Sequence, residues 1–172
     1  QVQVFVVIER EDETLALGGW ANPHADPDRQ VEYLVGANAC ADFYLTQVVS
    51  HFDLDRVSGF LAAAERGNLQ LPGIFGVFYY RSANRSTLQV LKQFLPVPID
   101  ELTREFNGGS SAEDVCAHTI RALMAVGAKH FYVSNLPVGR AHRLLGSIAQ
   151  KAGCDVAVSG GGDRRRDESS LR

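Results

Sequence analysis

The residue best suited to recognise a ligand is Gln47, which lies within the apolar run ADFYLTQVVSH at residues 41–51. Its primary amide carries two N–H donors and one acceptor oxygen. Burying that amide without partners costs roughly 2 kcal/mol or more. Either the neighbouring backbone or a bound molecule must therefore satisfy it, and the residues alone leave both possibilities open.

A second group follows a short apolar stretch in the segment GGWANPHADP at residues 18–27. Two glycines allow a backbone or a flat ligand to approach closely. Trp20 and His24 stand four residues apart just beyond them, where they could line such a ligand. The alternative is that Trp20 only packs against the protein and that His24 is a surface residue.

Two further apolar runs also end in polar and aromatic residues. Tyr79 and Tyr80 lead into a loop containing two arginines and an asparagine, a set that suits a planar or anionic ligand. A solvated loop with one packed tyrosine is the alternative. The run at residues 129–137 carries Tyr132, Ser134 and Asn135 towards its end.

Composition excludes several classes of protein. The chain has 172 residues, of which 45% are hydrophobic, and this suits one domain with its own core. A net charge of −3 offers no basic surface for nucleic acid, and no apolar run is long enough to cross a membrane. Cys40, Cys116 and Cys154 form no CxxC pair, so we predict no disulfide framework, no metal site and a cytoplasmic location.

Apolar strands and amphipathic helices alternate at least three times after residue 14, which predicts an α/β fold with a parallel sheet. No GxGxxG follows the first strand, so a Rossmann dinucleotide site is not supported. The candidate residues all follow strands, and in a (β/α)8 barrel such positions share one face. About four strands would supply only half of that barrel and would leave open edges.

The ends of the chain give three further expectations. Residues 1–8 are expected to form a strand, and together with residues 14–17 a hairpin. Residues 1–153 are expected to be the C-terminal part of a barrel domain, and residues 154–172 a disordered charged tail. The chain starts at Gln1 in strand-like sequence, which predicts that it is a piece of a longer protein.

Four segments together resemble the methylenetetrahydrofolate reductase family. They are GGWANPHADP, ADFYLTQ, PGIFGV at residues 72–77 and HFYVSN at residues 130–135. Their order and spacing are similar to the second half of that family's barrel, and the resemblance extends over roughly residues 14–150.

The resemblance implies a flavin-dependent reductase that uses NAD(P)H to convert methylenetetrahydrofolate to methyltetrahydrofolate. Gln47 would bind the pterin of the folate, whose donor and acceptor edge an amide can pair with, and Tyr79 and Tyr80 are further substrate-binding candidates. The residues implied to line FAD are Trp20, His24, Tyr132, Ser134 and Asn135. The implied partner is the remaining half of the barrel or a second copy of the chain.

The chain departs from the family in several places. Trp20 replaces a tyrosine, Gly76 stands where a proline is usual, and the loop at residues 78–84 is longer. The family's Asp and Lys that hold the flavin's ribityl and phosphate groups have no counterpart at residues 28–40. Its catalytic acid belongs to the first half of the barrel, so this chain alone is expected to be inactive. The alternatives are a non-catalytic half-barrel that binds folate or a partner, and a barrel enzyme of unrelated pterin or methyl-transfer chemistry.

Overall fold

The computed structural model describes residues 15–36 and 40–154. The expected hairpin strand at residues 1–8 and nearly all of the expected tail lie outside these ranges. The described strands are β1 (Gly18–Ala21), β2 (Phe43–Val48), β3 (Gly73–Phe78) and β4 (His130–Ser134). The helices are α1 (Pro27–Val35), α2 (Leu54–Arg66), α3 (Arg85–Leu91), α4 (Ile99–Asn107), α5 (Ala112–Ala125) and α6 (Ala141–Ala152).

The four strands form one sheet in the order β1-β2-β3-β4, and every neighbouring pair is parallel. The predicted α/β alternation with a parallel sheet is therefore confirmed. Within the described residues the sheet is open, with β1 and β4 at its edges, as four strands require. This arrangement is compatible with half of a barrel.

One face of the sheet packs against helices. Side chains from β2 and β3 such as Tyr44, Phe75 and Val77 meet Phe60 of α2 and Ile120 of α5 in the main core. Tyr44 and Phe60 contact edge to face with ring centroids 5.8 Å apart. Burial of these large side chains on one side of the sheet fixes the strand register, because a slip of one residue would turn each of them to the other face.

A second core lies beyond the carboxyl end of β3, around α3 and α4. Its buried members are Tyr80, Leu88, Val97, Ile99, Leu102 and Val115. This segment forms much of the long connection between β3 and β4, and α5 completes that connection. None of the helices in residues 15–36 and 40–154 is both long enough and apolar enough to span a membrane.

Strand β1 begins later than the sequence predicts. We expected a strand at residues 14–17 that ends at the two glycines, whereas Gly18 and Gly19 are the first residues of β1. Gly18 pairs with Phe43, and a Cβ on Gly18 would lie 2.9 Å from the Phe43 ring. Gly18 is therefore needed inside the strand, where it lets the aromatic ring cross the backbone, and a Cβ on Gly19 would lie 2.9 Å from the Leu34 side chain.

Candidate functional site at the strand exits

The carboxyl ends of the four strands lie at one edge of the sheet, as the alternation predicts, because all four strands run in the same direction. Ligands of parallel α/β proteins bind at this edge. Most of the candidate residues belong to the ends of these strands or to the loops that follow them.

A β-bulge distorts the end of β2 at Thr46 and Gln47. Leu45 pairs with Ile74, but the next pairing joins Val48 to Gly76, so β2 contains one extra residue. The hydroxyl of Thr46 accepts a hydrogen bond from the backbone N–H of Gly76 at 3.0 Å. A buried side chain thus replaces a backbone acceptor of the ladder. Bulges often re-aim side chains next to active sites.

The bulge sets the orientation of the Gln47 amide. The backbone N–H of Val48 donates to Oε1 of Gln47 at 3.0 Å. Because an N–H group faces that atom, it must be the amide oxygen. The NH₂ group then points away from this bond, and no acceptor within the described residues bonds to it. The backbone therefore satisfies the amide oxygen of Gln47, whereas the partner of its NH₂ group is left open.

Tyr132 of β4 contacts the bulge in β2 by reaching across β3. Its ring crosses β3 over Gly76, where a Cβ would lie 2.5 Å from the tyrosine oxygen. The hydroxyl donates to the carbonyl of Thr46 at 2.7 Å, and burial raises the pKa of Tyr132 above its ordinary value. Tyr132 therefore acts through Thr46 as a positioning residue, with its hydroxyl already engaged.

His24 connects the loop after β1 to β2 and α2. Nε2 lies 2.9 Å from the carbonyl oxygen of Val48, so this nitrogen carries a proton and donates it. Nδ1 faces the carboxylate of Asp53 at 3.8 Å, and Arg56 donates to the carbonyl of His24 at 2.9 Å. Both ring nitrogens of His24 are thus directed at protein groups.

Trp20 lies on the face of the sheet opposite the main core. It pairs in register with Leu45, and its side chain is 56% exposed. Its neighbour Ala21 is fully buried in the core on the other face, which fixes the direction of Trp20 by alternation. A large flat side chain is therefore presented to solvent beside β2.

Ser134 and Asn135 connect the ends of β3 and β4. The hydroxyl of Ser134 makes a long hydrogen bond of 3.4 Å to the carbonyl of Val77. Asn135 adopts a left-handed backbone with φ of 65°. Its side-chain nitrogen donates to the carbonyl of Tyr79 at 3.0 Å, and Arg81 donates to the Asn135 carbonyl at 3.2 Å.

Tyr79 and Tyr80 are buried rather than open at the strand exit. Tyr79 belongs to the main core and Tyr80 to the second core, where its ring lies 4.9 Å from that of Phe78. Burial raises the pKa of both hydroxyls above the ordinary value. We therefore assign both side chains to packing and leave them out of the binding set.

Asp53 lies in the turn after β2 and is of a residue type that favours the cap of a following helix. Asp53 holds the N-cap position of α2, but its side chain makes no capping bond to that helix. The carboxylate instead accepts from the backbone N–H and the hydroxyl of Ser50, at 2.9 and 2.6 Å. Short polar side chains often form such local hydrogen bonds with nearby backbone instead of capping a helix. In this position the Asp53 carboxylate also faces His24.

A cluster of His51, Glu105 and His118 lies beside the same edge, and it was not among the predicted site residues. Nε2 of His51 is 3.0 Å from Oε1 of Glu105, and Nδ1 of His118 is 3.2 Å from the same oxygen. The imidazole rings stack with centroids 4.2 Å apart. Burial lowers the pKa of His51, and the Glu105 carboxylate opposes this shift only in part.

Neither spacing nor composition could have identified this cluster. Its members come from the turn after β2, from α4 and from α5, and up to 67 positions separate them along the chain. The one signal present was a histidine directly after a buried strand. Such a residue is more often a loop histidine, and only the packing of α4 against the sheet end changes that interpretation.

A cavity of about 630 Å³ lies near the opposite edge of the sheet. Its lining is mainly apolar and includes Ile120, Met124, Phe131 and Ile148. Lys129 and His130 at its rim mark the start of β4. None of the predicted site residues lines this cavity.

Comparison with known proteins adds no assignment to this geometry. No protein-family model matches the chain, and no curated protein matches it significantly.

Proposed function

We propose that this chain is the pterin-binding half of a (β/α)8 reductase barrel of the methylenetetrahydrofolate reductase type. The observation that carries the proposal is the orientation of Gln47. Its amide oxygen is held by Val48, and its NH₂ group remains available at the end of β2. A pterin presents ring nitrogens and a carbonyl oxygen that accept from such a group.

The surroundings of Gln47 support this role. Leu45, two residues before Gln47, lies in register with Trp20 on the face away from the main core, and Gln47 itself is half-buried. An indole that is largely exposed beside this face offers a flat surface on which a heterocycle can stack. The bulge, Thr46 and Tyr132 hold the strand end rigid, and rigidity lowers the entropic cost of ligand binding.

The flavin that the resemblance implies fits the described residues poorly. Both ring nitrogens of His24 face protein groups, and the Tyr132 hydroxyl and the Asn135 amide nitrogen are already bonded. Trp20 remains the one flat surface, and Ser134 makes only a long bond. We therefore assign no flavin-binding role to these side chains. Reduction by NAD(P)H would need groups from outside the described residues.

This mismatch favours a second candidate function. In it, the chain is a half-barrel that binds folate or a partner chain without turning folate over. Both candidates share the pterin site at Gln47, and they differ in whether hydride transfer follows. The two are separated by supplying the chain, together with the remaining half of the barrel that the first candidate implies, with FAD, NAD(P)H and methylenetetrahydrofolate in the absence of oxygen, and by following nicotinamide absorbance. Oxidation that depends on methylenetetrahydrofolate supports the reductase, and folate binding without such oxidation supports the binding module.

The test of the pterin site is a folate titration of the full chain by calorimetry. Gln47→Ala should weaken binding about tenfold to a hundredfold, because one buried hydrogen-bonded pair is lost. Gln70→Ala is the matched control, since Gln70 is exposed and precedes β3 at the other edge of the sheet. Equal binding by the wild type and a folded Gln47→Ala protein would overturn the proposal.

A further inference from the structure

The cluster of His51, Glu105 and His118 has the composition of a metal site. One ligand atom from each residue lies within 4.8 Å of the others. Two imidazole nitrogens and one carboxylate oxygen are a donor set preferred by zinc and other first-row divalent ions, rather than by magnesium or calcium. This cluster is separate from the proposed pterin site, and nothing in the argument for Gln47 depends on it.

Two buried atoms of the cluster lack hydrogen-bond partners. The side chain of His51 is only 6% exposed, and its Nε2 makes no hydrogen bond within the described residues. Oε1 of Glu105 lies only 3.0 Å from Nε2, yet the two atoms form no hydrogen bond. The second carboxylate oxygen, Oε2, is also buried and without a partner there. Unpaired buried polar atoms are rare in proteins and call for an explanation such as a missing ion.

The surroundings of His51 are those of a metal ligand. Its other nitrogen, Nδ1, lies 2.8 Å from the hydroxyl of Thr119. Metal-bound histidines are commonly held in this way, with the nitrogen away from the ion bonded to a fixed neighbour. A hydroxyl–imidazole–carboxylate series also occurs in hydrolases, but Thr119 is only 4% exposed, and no substrate can reach it.

We propose that His51, Glu105 and His118 bind one divalent transition-metal ion, for which zinc is the best match. In a tetrahedral zinc site, neighbouring ligand atoms are about 3.3 Å apart. The two nitrogens lie 3.0 and 3.2 Å from the Glu105 oxygen, so side-chain adjustments are sufficient. His118 is 50% exposed, which gives the ion a route from solvent and leaves the fourth position for water.

The experiment is a titration of chelator-treated full chain with zinc, and with cobalt as a spectroscopic probe. We expect one saturable site per chain and a visible cobalt absorption band that one equivalent of zinc removes. Magnesium should not compete. His118→Ala should weaken zinc binding more than tenfold and abolish the band, and Glu105→Gln should do the same while keeping the side-chain volume.

His142→Ala is the matched control, because His142 is an exposed histidine on α6 outside the cluster. It should bind zinc as the wild type does. Zinc should also raise the melting temperature of the wild type and of this control, but not that of His118→Ala. Absence of saturable binding, or equal binding by the wild type and folded His118→Ala protein, would overturn the proposal. Neither result would bear on folate binding.

Discussion

At the scale of the residue, the end of β2 depends on a few polar atoms that hold an irregular backbone. Thr46 supplies a hydroxyl where the ladder lacks a carbonyl, and Tyr132 bonds to the Thr46 carbonyl from two strands away. Gly76 between them has no side chain, and this absence is what allows the ring to cross β3. The three residues therefore act as one unit that fixes Gln47.

Tyr132→Phe tests this unit. The change removes a hydroxyl and leaves the carbonyl of the buried Thr46 without its donor, so we expect the free energy of unfolding to fall by about 1–2 kcal/mol. Urea denaturation measures it. Tyr33→Phe is the control, because Tyr33 lies on the exposed side of α1, away from the bulge, and its hydroxyl is 3.5 Å from Arg29. Equal losses in the two variants would contradict the role of Tyr132.

Single residues also show how far the sequence could be interpreted. The position of Gln47 at the end of a buried strand follows from the apolar run around it. The bulge does not, because it arises from the pairing of β2 with β3, and no local pattern records that register. His51, Glu105 and His118 come together only through tertiary packing. Local sequence patterns therefore do not predict the cluster, because its members are far apart along the chain.

At the scale of the element, α5 is the helix whose start the sequence predicts best. The spacing of Ser111 and Asp114 is that of a capping box, and the structure contains this box in full. Asp114 also accepts a hydrogen bond from Lys151 of α6 at 2.6 Å. One carboxylate therefore caps a helix and connects it to the next. Asp53 at the start of α2 forms no such cap, because its carboxylate is bonded to Ser50 instead.

The Asp114 contacts predict a dependence of stability on pH. The Lys151 hydrogen bond, and then those of Ser111, hold the pKa of Asp114 well below the ordinary value of 3.8. A carboxyl whose pKa is lowered by folding stabilises the protein above its unfolded pKa, and this contribution is lost as the pH falls. The stability difference between wild type and Asp114→Asn should therefore be largest at pH 5–7 and shrink below roughly pH 4.

Glu113→Gln is the control for Asp114→Asn in this experiment. It removes a negative charge from the same first turn of α5 without breaking the capping box or the bond to Lys151. Chemical denaturation at a series of pH values gives the comparison. A pH profile of Asp114→Asn that parallels that of Glu113→Gln would show that helix-dipole effects alone account for the change.

At the scale of the whole molecule, the described sheet has a helix-covered face and a face that carries Trp20. An open sheet with an exposed indole tends to associate, because edges and apolar surface are then covered. We expect the chain to self-associate as its concentration rises, unless the other half of a barrel covers this face. Sedimentation velocity measures association, and acrylamide quenching of Trp20, the only tryptophan, reports on its exposure.

Trp20→Lys should weaken this association. Phe94→Lys is a matched control, because Phe94 is an exposed aromatic residue after α3 rather than on the sheet. A monomer at all concentrations, with quenching of Trp20 unchanged, would contradict the expectation. The four strands of the described sheet were predictable from their apolar runs, whereas no pattern in the sequence identifies what would cover its open face.

The second core is a cluster of buried side chains distinct from the main core under the sheet. Tyr80, Leu88 and Leu102 pack among themselves around α3 and α4, apart from the core under the sheet. Such a segment can open by local unfolding while the strands remain paired, and its amide protons would then exchange with solvent sooner than those of β2 and β3. Glu105 would move with it and leave His51. Local unfolding of the α3–α4 segment would therefore remove the Glu105 carboxylate from His51 and change the charge environment at the end of β2.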